Sequence, residues 1–161
     1  MTTIRPAGPA DVARLRVALA GLAEAMGDAF AATETDLARA LHGPAPTCRA
    51  QVTETGPGPP AGAIFYSPIF STIRGSAGIF VSDLWASGEA RGQGLGPRLL
   101  AAALRDGGAC WGASFLKLQV YESNVHARRF YDRLGFEQAL GHAEMVLERD
   151  ACAALVAAQP G

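Results

Sequence analysis

The stretch Arg91-Gly92-Gln93-Gly94-Leu95-Gly96 constrains this chain most, because it stands between a strand-like run, Ile79 to Trp85, and a helix-like run, Pro97 to Arg105. Glycines at alternate positions let the backbone approach a bound anion and adopt conformations closed to other residues. A helix beginning there turns its unbonded N–H groups and the positive end of its dipole toward the same point. Strand, glycine loop and helix together predict a cradle for a pyrophosphate. Two other phosphate loops fit less well: Gly-x-x-x-x-Gly-Lys-Ser/Thr needs a lysine the stretch lacks, and the dinucleotide fingerprint needs a third glycine where Pro97 stands.

Farther along comes Tyr121-Glu122-Ser123-Asn124-Val125-His126-Ala127-Arg128-Arg129-Phe130-Tyr131-Asp132-Arg133-Leu134-Gly135-Phe136. Taken together, the two segments resemble the GNAT N-acetyltransferase superfamily. Its acetyl-CoA loop, Arg/Gln-x-x-Gly-x-Gly/Ala, is matched by Arg91, Gly94 and Gly96. Its later Asn-x-x-Ala-x-x-Phe-Tyr and Gly-Phe are matched by Asn124, Ala127, Phe130, Tyr131, Gly135 and Phe136.

Composition sets the outer bounds. A chain of 161 residues with 49% hydrophobic content suits one domain, residues 1–161, with a sizeable core. Its apolar runs are short and interrupted, and Met1-Thr2-Thr3-Ile4-Arg5 lacks a signal-peptide layout, so a cytoplasmic protein without a membrane partner is expected. Three separated cysteines, Cys48, Cys110 and Cys152, suggest reduced thiols rather than a disulfide framework or a metal site. A net charge of −1 gives no footprint for nucleic acid, although all the positive charges but Lys117 are arginines.

Residues Thr3 to Arg5 predict a short strand, and Pro9-Ala10-Asp11 the start of a helix with Val12, Leu15, Leu19, Leu22 and Met26 on one face, broken at Gly27-Asp28. Thr33-Glu34-Thr35-Asp36 reads as a capped start of a second helix bearing Leu37 and Leu41. Strands are expected over Cys48 to Glu54 and Ala61 to Phe70, around a turn at Thr55 to Pro60, with a loop at Ser71 to Ser76. After the glycine loop, a helix ending near Asp106-Gly107-Gly108, a strand Phe115 to Val120 and a helix Asn124 to Leu134 stopped at Gly135 are predicted. Strands Phe136 to Leu140 and Met145 to Glu148 would finish the sheet. The apolar tail Ala151 to Ala158 could be a helix over the sheet or an oligomer contact.

The resemblance implies an α/β (α+β) GNAT-like three-layer fold, with a mixed, splayed central sheet of six to seven strands flanked by helices. Within the superfamily, Ile4-Arg5-Pro6-Ala7, Thr33-Glu34-Thr35-Asp36-Leu37 and Ser82-Asp83-Leu84 look most like the spermidine/spermine (diamine) N-acetyltransferase branch. That branch has Glu-Asp where this chain has Ser82-Asp83.

Acetyl transfer to an amine needs two proton movements. Alkyl amines and thiols have ordinary pKa values of roughly 10.4 and 8.5, so near neutrality the amine must lose a proton and the departing thiolate gains from receiving one. Tyr131 is the candidate acid: a phenol stays protonated near neutrality, and the resemblance implies a place beside the thioester sulfur. The alternative is that Tyr131 only packs beside Phe130. Simple alternation puts Asp83 with Ile79, Val81 and Trp85 on one strand face, where a carboxylate is either paired or functional, and a bulge would invert the face. Asp83 and Glu122 are both candidates for assisting the amine, directly or through water.

For acetyl-CoA as co-substrate, the resemblance implies backbone N–H groups of Gly92, Gln93, Gly94, Leu95 and Gly96 at the pyrophosphate, flanked by the cofactor-binding positions Arg91 and Pro97, and strand groups of Leu84, Trp85 and Ala86 along the pantetheine and thioester carbonyl. Asn124, beside Ala127, would hold the other side of the arm or simply cap its helix, and Arg91 would meet a phosphate or remain a solvated charge. His42, His126 and His142 are too far apart to suggest a metal. The expected activity is direct N-acetylation of a small primary amine, polyamine-like or amino-acid-like, by a homodimer. The alternatives are a silent acyl-CoA-binding regulatory module and an acetyltransferase of a protein or peptide amine.

Overall fold

The computed structural model describes residues 2–53, 56 and 58–158. The chain forms two compact units, Met1–Tyr121 and Glu122–Gly161.

The first unit holds a five-stranded sheet in the order β1-β2-β3-β4-β5. Its strands are β1 (Ile4–Pro6), β2 (Arg49–Thr53), β3 (Gly62–Ser71), β4 (Ser76–Ala86) and β5 (Leu116–Leu118). Neighbours from β1 to β4 are antiparallel, and β4 pairs with β5 in parallel. A parallel pair needs a crossover. It is supplied by helix α3 (Leu95–Trp111) on one face of the sheet, while α1 (Val12–Met26) and α2 (Glu34–His42) link β1 to β2. On the α1/α2 face, Leu15, Leu19, Leu37 and Leu41 pack with Ala50, Val52 and Ala63. The alternate residues of β3 face α3, because a Cβ on Gly62 would lie 2.7 Å from Leu95 Cδ2. The three-layer mixed sheet of the sequence analysis is therefore present.

Local chemistry explains the helix boundaries. Pro9–Asp11 forms a 3-10 turn, so α1 starts at Val12 and stops where Gly27 takes φ 77°. Thr33 Oγ1 accepts from the Asp36 amide at 3.1 Å and the Thr33 amide donates to Asp36 Oδ2 at 3.0 Å, the reciprocal cap expected for α2. Helix α3 runs through Gly107-Gly108, where its end was predicted, and stops at Gly112 with φ 66°. Gly107 serves close packing rather than termination: a Cβ there would sit 2.6 Å from Ile79 Cγ2.

A polar network ties α3 to the sheet. Arg49 donates to Asp106 from Nε (2.5 Å) and from its second terminal nitrogen (2.9 Å), and Tyr66 Oη donates to Asp106 Oδ2 at 2.6 Å. Burial alone would raise the Asp106 pKa, but the hydrogen bonds from Arg49 and Tyr66 outweigh it and hold the carboxyl below its ordinary value.

The second unit contains α4 (Val125–Arg133) and α5 (Arg149–Ala158). Asn124 Oδ1 caps α4 by accepting from the Ala127 amide at 3.1 Å, and Gly135 follows its end with φ 86°. The expected strands Phe136 to Leu140 and Met145 to Glu148 are irregular and turn structure, so the sheet has five strands among the described residues rather than six to seven. Strand preference is a preference for a paired, half-buried surface, and no ladder pairs these segments. The apolar tail is helical and exposed throughout. Glu54, Thr55 and Pro57 of the expected strand end and turn lie outside the described residues. No described helix is long and apolar enough to cross a membrane.

Candidate functional site

The glycine loop follows β4 directly. After Ala86 come Ser87, a 3-10 turn Gly88–Ala90, the loop Arg91 to Gly94, and α3. Gly92 and Gly94 take φ 77° and 72°, and no atom lies within 4 Å of the place a Cβ would occupy on either. The glycines are thus required by backbone conformation, and open space lies in front of them. Gly94 is the N-cap of α3 and supplies no side-chain cap, so the first-turn donors are left for another partner. Leu95 is buried beneath Gly62 and offers only its backbone, as does Gly96, whereas Pro97 lacks an N–H and cannot donate.

Side chains brace the loop from below. Gln93 Nε2 donates to the Glu89 carbonyl at 2.7 Å, and Arg91 Nε donates to the Ala86 carbonyl at 3.2 Å with its guanidinium 6.0 Å from the centre of the Trp85 ring. Arg91 is therefore folded back on the end of β4. The donors, glycine conformations and open front fit a pyrophosphate. A neighbouring pocket of about 200 Å³, lined by Ala61, Ser87, Glu89, Gln93 and Arg98 among others, is too small for a whole cofactor arm, so the cradle is an open surface.

Beside the loop the sheet opens. Phe65 pairs with Asp83 and Tyr66 with Val81, which leaves Ser82 as an extra residue on β4, a bulge. The bulge inverts the faces that simple alternation assigned. Asp83 shares the α1/α2 face with Trp85 and Phe65, while Ile79 and Val81 turn toward α3. The parallel ladder ends at Val81 and Leu118, so Asp83 to Ala86, including Leu84 and Trp85, have a strand partner on the β3 side only. Asp83 has no hydrogen bond or ion pair among the described residues, and burial raises its pKa above the ordinary carboxylate value. Sequence reasoning left its partner open; the described residues supply none.

One contact had no sequence signal at all. Tyr121 Oη, just past β5, donates to Asp28 Oδ1 at 2.8 Å across 93 positions of the chain.

In the second unit, Asn124 and Ala127 are joined by the α4 cap, and Glu122 is exposed at the turn before them, its carbonyl accepting from Arg128 at 3.4 Å. Tyr131 lies edge-on to Phe130 (ring centres 5.0 Å apart) and tilted against Phe136 (5.2 Å). Burial raises its phenol pKa, so it stays protonated well above neutrality. The aromatic packing that was the alternative to an acid role is present, and among the described residues of this unit the hydroxyl has no hydrogen-bond partner. Among the described residues no group of three or more His, Cys, Asp or Glu could hold a metal.

A mixed sheet that opens past a bulge, with a glycine loop leading into the crossover helix, defines an α/β protein. Residues 20–136 match the Acetyltransferase (GNAT) family, and the chain belongs to it. The uncharacterized N-acetyltransferase YhfO of Bacillus subtilis strain 168 is 35% identical over 80 residues, 50% of this chain and 53% of that protein. The matched stretch thus spans about half of the curated relative. An integron cassette protein from the mobile metagenome of V. cholerae shares the fold with a TM-score of 0.75 at 20% identity, over 96% of this chain and 97% of the other. An aminoglycoside acetyltransferase from an uncultured soil metagenomic sample, solved in complex with sisomicin, gives 0.73 at 15% identity, over 91% and 97%.

Proposed function

We propose that this protein is an acetyl-CoA-dependent N-acetyltransferase that acetylates a primary amine of a small molecule, polyamine-like or amino-acid-like, and works as a single domain, residues 1–161. The observation that carries this reading is the glycine loop at the N-terminus of α3, set directly after the opened stretch of β4. Family membership supports the reaction class. Acetyl-CoA supplies an acetyl thioester. The amides of Gly92, Gly94, Leu95 and Gly96 bind its pyrophosphate, while that of Gln93 donates to the Ala90 carbonyl at 3.4 Å, and the side of Leu84 to Ala86 away from β3 lies along its arm. Asn124 and Ala127 support the arm from α4.

In the reaction the amine nitrogen forms a bond to the acetyl carbon and the carbon–sulfur bond breaks. Asp83 or Glu122, directly or through water, takes the proton the ammonium loses, and a raised carboxylate pKa with no competing partner suits Asp83 to that task. Tyr131 delivers a proton to the departing thiolate, for which a protonated, half-buried phenol is suited. The resemblance to the spermidine/spermine branch favours a polyamine-like acceptor. Exposed Met145, Val146, Leu147, Leu155 and Val156 favour a homodimer that covers them. We place the protein in the cytoplasm.

The test is thiol release from acetyl-CoA with polyamines, amino acids, aminoglycosides and peptides as acceptors, against a blank without acceptor. Acceptor-dependent release is expected from the small amines. Tight acetyl-CoA binding without release from any of them would favour a silent acyl-CoA-binding module, and release with peptides alone would favour a protein acetyltransferase.

A further inference from the structure

Helix α3 passes the edge strand β1, and between them lies a cavity of about 360 Å³ lined by Thr2, Thr3, Ile4, Arg98, Ala101 and Arg105. Its three helix residues stand at i, i+3 and i+7, so they share one face of α3. The Cα atoms of Arg98 and Arg105 are about 10 Å apart along the axis, and the short side chain of Ala101 between them leaves the hollow open. Arg105 stands about 15 Å along the helix from Leu95, well past the glycine loop.

The lining offers donors and positive charge with nothing to balance them. No carboxylate lines this cavity, and neither arginine forms an ion pair among the described residues. Half-buried Arg98 donates from one terminal nitrogen to the Thr2 carbonyl, which leaves the rest of its fork for a ligand. Exposed Arg105 bonds to no described group, and the carboxylate next to it in the chain, Asp106, is taken by Arg49 and Tyr66. Glu89 lines a smaller adjoining cavity that shares Thr2 and Arg98, and pairs with neither arginine. Because the Ala7 amide donates to the Ala50 carbonyl, alternation along β1 turns the Ile4 amide away from β2, at the free edge of the sheet. Guanidinium forks match phosphate oxygens bidentately. The volume exceeds what inorganic phosphate fills and falls in the range of small-molecule sites, with Ile4 and Ala101 as its apolar part.

We propose that the groove between β1 and α3 is a second anion site, separate from the glycine loop, that binds a small phosphorylated organic molecule. Arg105 takes the phosphate, and Arg98, the threonine hydroxyls and the Ile4 amide hold the polar body. Such a ligand bridges the helix and the edge strand, so it stabilises the first unit by binding only its folded form. The site is occupied together with acetyl-CoA and does not depend on acetyl transfer.

The experiment is calorimetric titration with glycerol 3-phosphate, glucose 6-phosphate and inorganic phosphate, with and without saturating CoA, on the parent protein, Arg105→Gln, Ala101→Leu and Arg39→Gln. The last removes one positive charge from α2, on the other face of the sheet, as a control. One saturable site for a phosphate ester is expected, retained with CoA bound. Its Kd should rise about tenfold in Arg105→Gln, as for one lost charge-assisted contact, and stay put in Arg39→Gln. Ala101→Leu, which fills the hollow without changing charge, should also weaken binding. The ester should raise the thermal midpoint of the parent more than that of Arg105→Gln, and the midpoints without ligand check folding. Absence of saturable binding, an equal loss in Arg39→Gln, or displacement by CoA overturns the inference. Inorganic phosphate binding as tightly as the esters overturns the organic class of ligand. A protein that neither binds CoA nor releases thiol would remove the acetyltransferase reading and leave the ester titrations to decide this site.

Discussion

Met1–Tyr121 and Glu122–Gly161 differ in where their order comes from. In the first unit, Leu15, Ile64, Ile79 and Leu99 are fully buried, and Arg49, Tyr66 and Asp106 join β2 and β3 to α3. In the second unit no described residue is buried, and α4 is held by a cap, a glycine after its end and an aromatic trio. Order in the first unit depends on contacts distant in sequence; order in the second is written within a few residues of each helix end. A substitution should therefore unfold one unit or perturb the chemistry of the other, and rarely both.

The largest effect should come from the sheet core. Leu99→Ala is expected to destabilise the protein by about 2–5 kcal/mol, as for a fully buried leucine whose site cannot collapse. Both tryptophans, Trp85 and Trp111, lie in the first unit, so their fluorescence during urea unfolding reports it selectively. A loss below about 1 kcal/mol would break the contrast. Tyr131→Phe should do the converse: kcat falls by about a hundredfold or more, the usual worth of a general acid, while acetyl-CoA affinity and the tryptophan midpoint stay put. Parent-like turnover would remove the acid role.

Acid should strike the first unit with a sign set by Asp106. Its folded pKa is depressed, so its contribution is fully present above the unfolded carboxylate pKa of about 3.9 and is lost as pH falls through the folded value. Asp106→Asn should cost about 1.5–3 kcal/mol near neutrality and flatten the acid limb of stability against pH. Asp83 has the opposite sign. Its raised pKa opposes folding once ionised, a penalty absent below the unfolded pKa, so Asp83→Asn should stabilise the fold near neutrality even as it lowers turnover. A destabilised Asp83→Asn protein would mean that Asp83 is paired. The smallest effect should come from Asn124→Ala, about 1 kcal/mol of helix stability for a lost cap, read as faster amide exchange over α4 with no change in tryptophan fluorescence.

The same division separates what could be read in the sequence from what could not. The Thr33 cap of α2, the Asn124 start of α4, the stop at Gly27 and the glycine loop before α3 were legible because each is set by residues within a turn of one another. Gly107-Gly108 was misread as a helix end, since only the tertiary structure reveals Ile79 pressed against that helix. Phe136 to Leu140 and Met145 to Glu148 were misread as strands, because a strand exists only where a neighbour accepts its hydrogen bonds.

For the candidate site, the donors at Gly92, Gly94, Leu95 and Gly96 and the phenol of Tyr131 follow from residue type and order. The environment of Asp83 does not, because one bulged residue, Ser82, decides which face it joins and therefore whether anything neutralises it. The bond from Tyr121 to Asp28 lies still farther from sequence reading. By itself the sequence determined the family, the glycine loop and the helix caps, since backbone conformation and capping act over a few residues. Only the tertiary structure decided the strand count, the face of Asp83 and the company of Asp28, since pairing, burial and charge compensation depend on groups that folding brings together from distant parts of the chain.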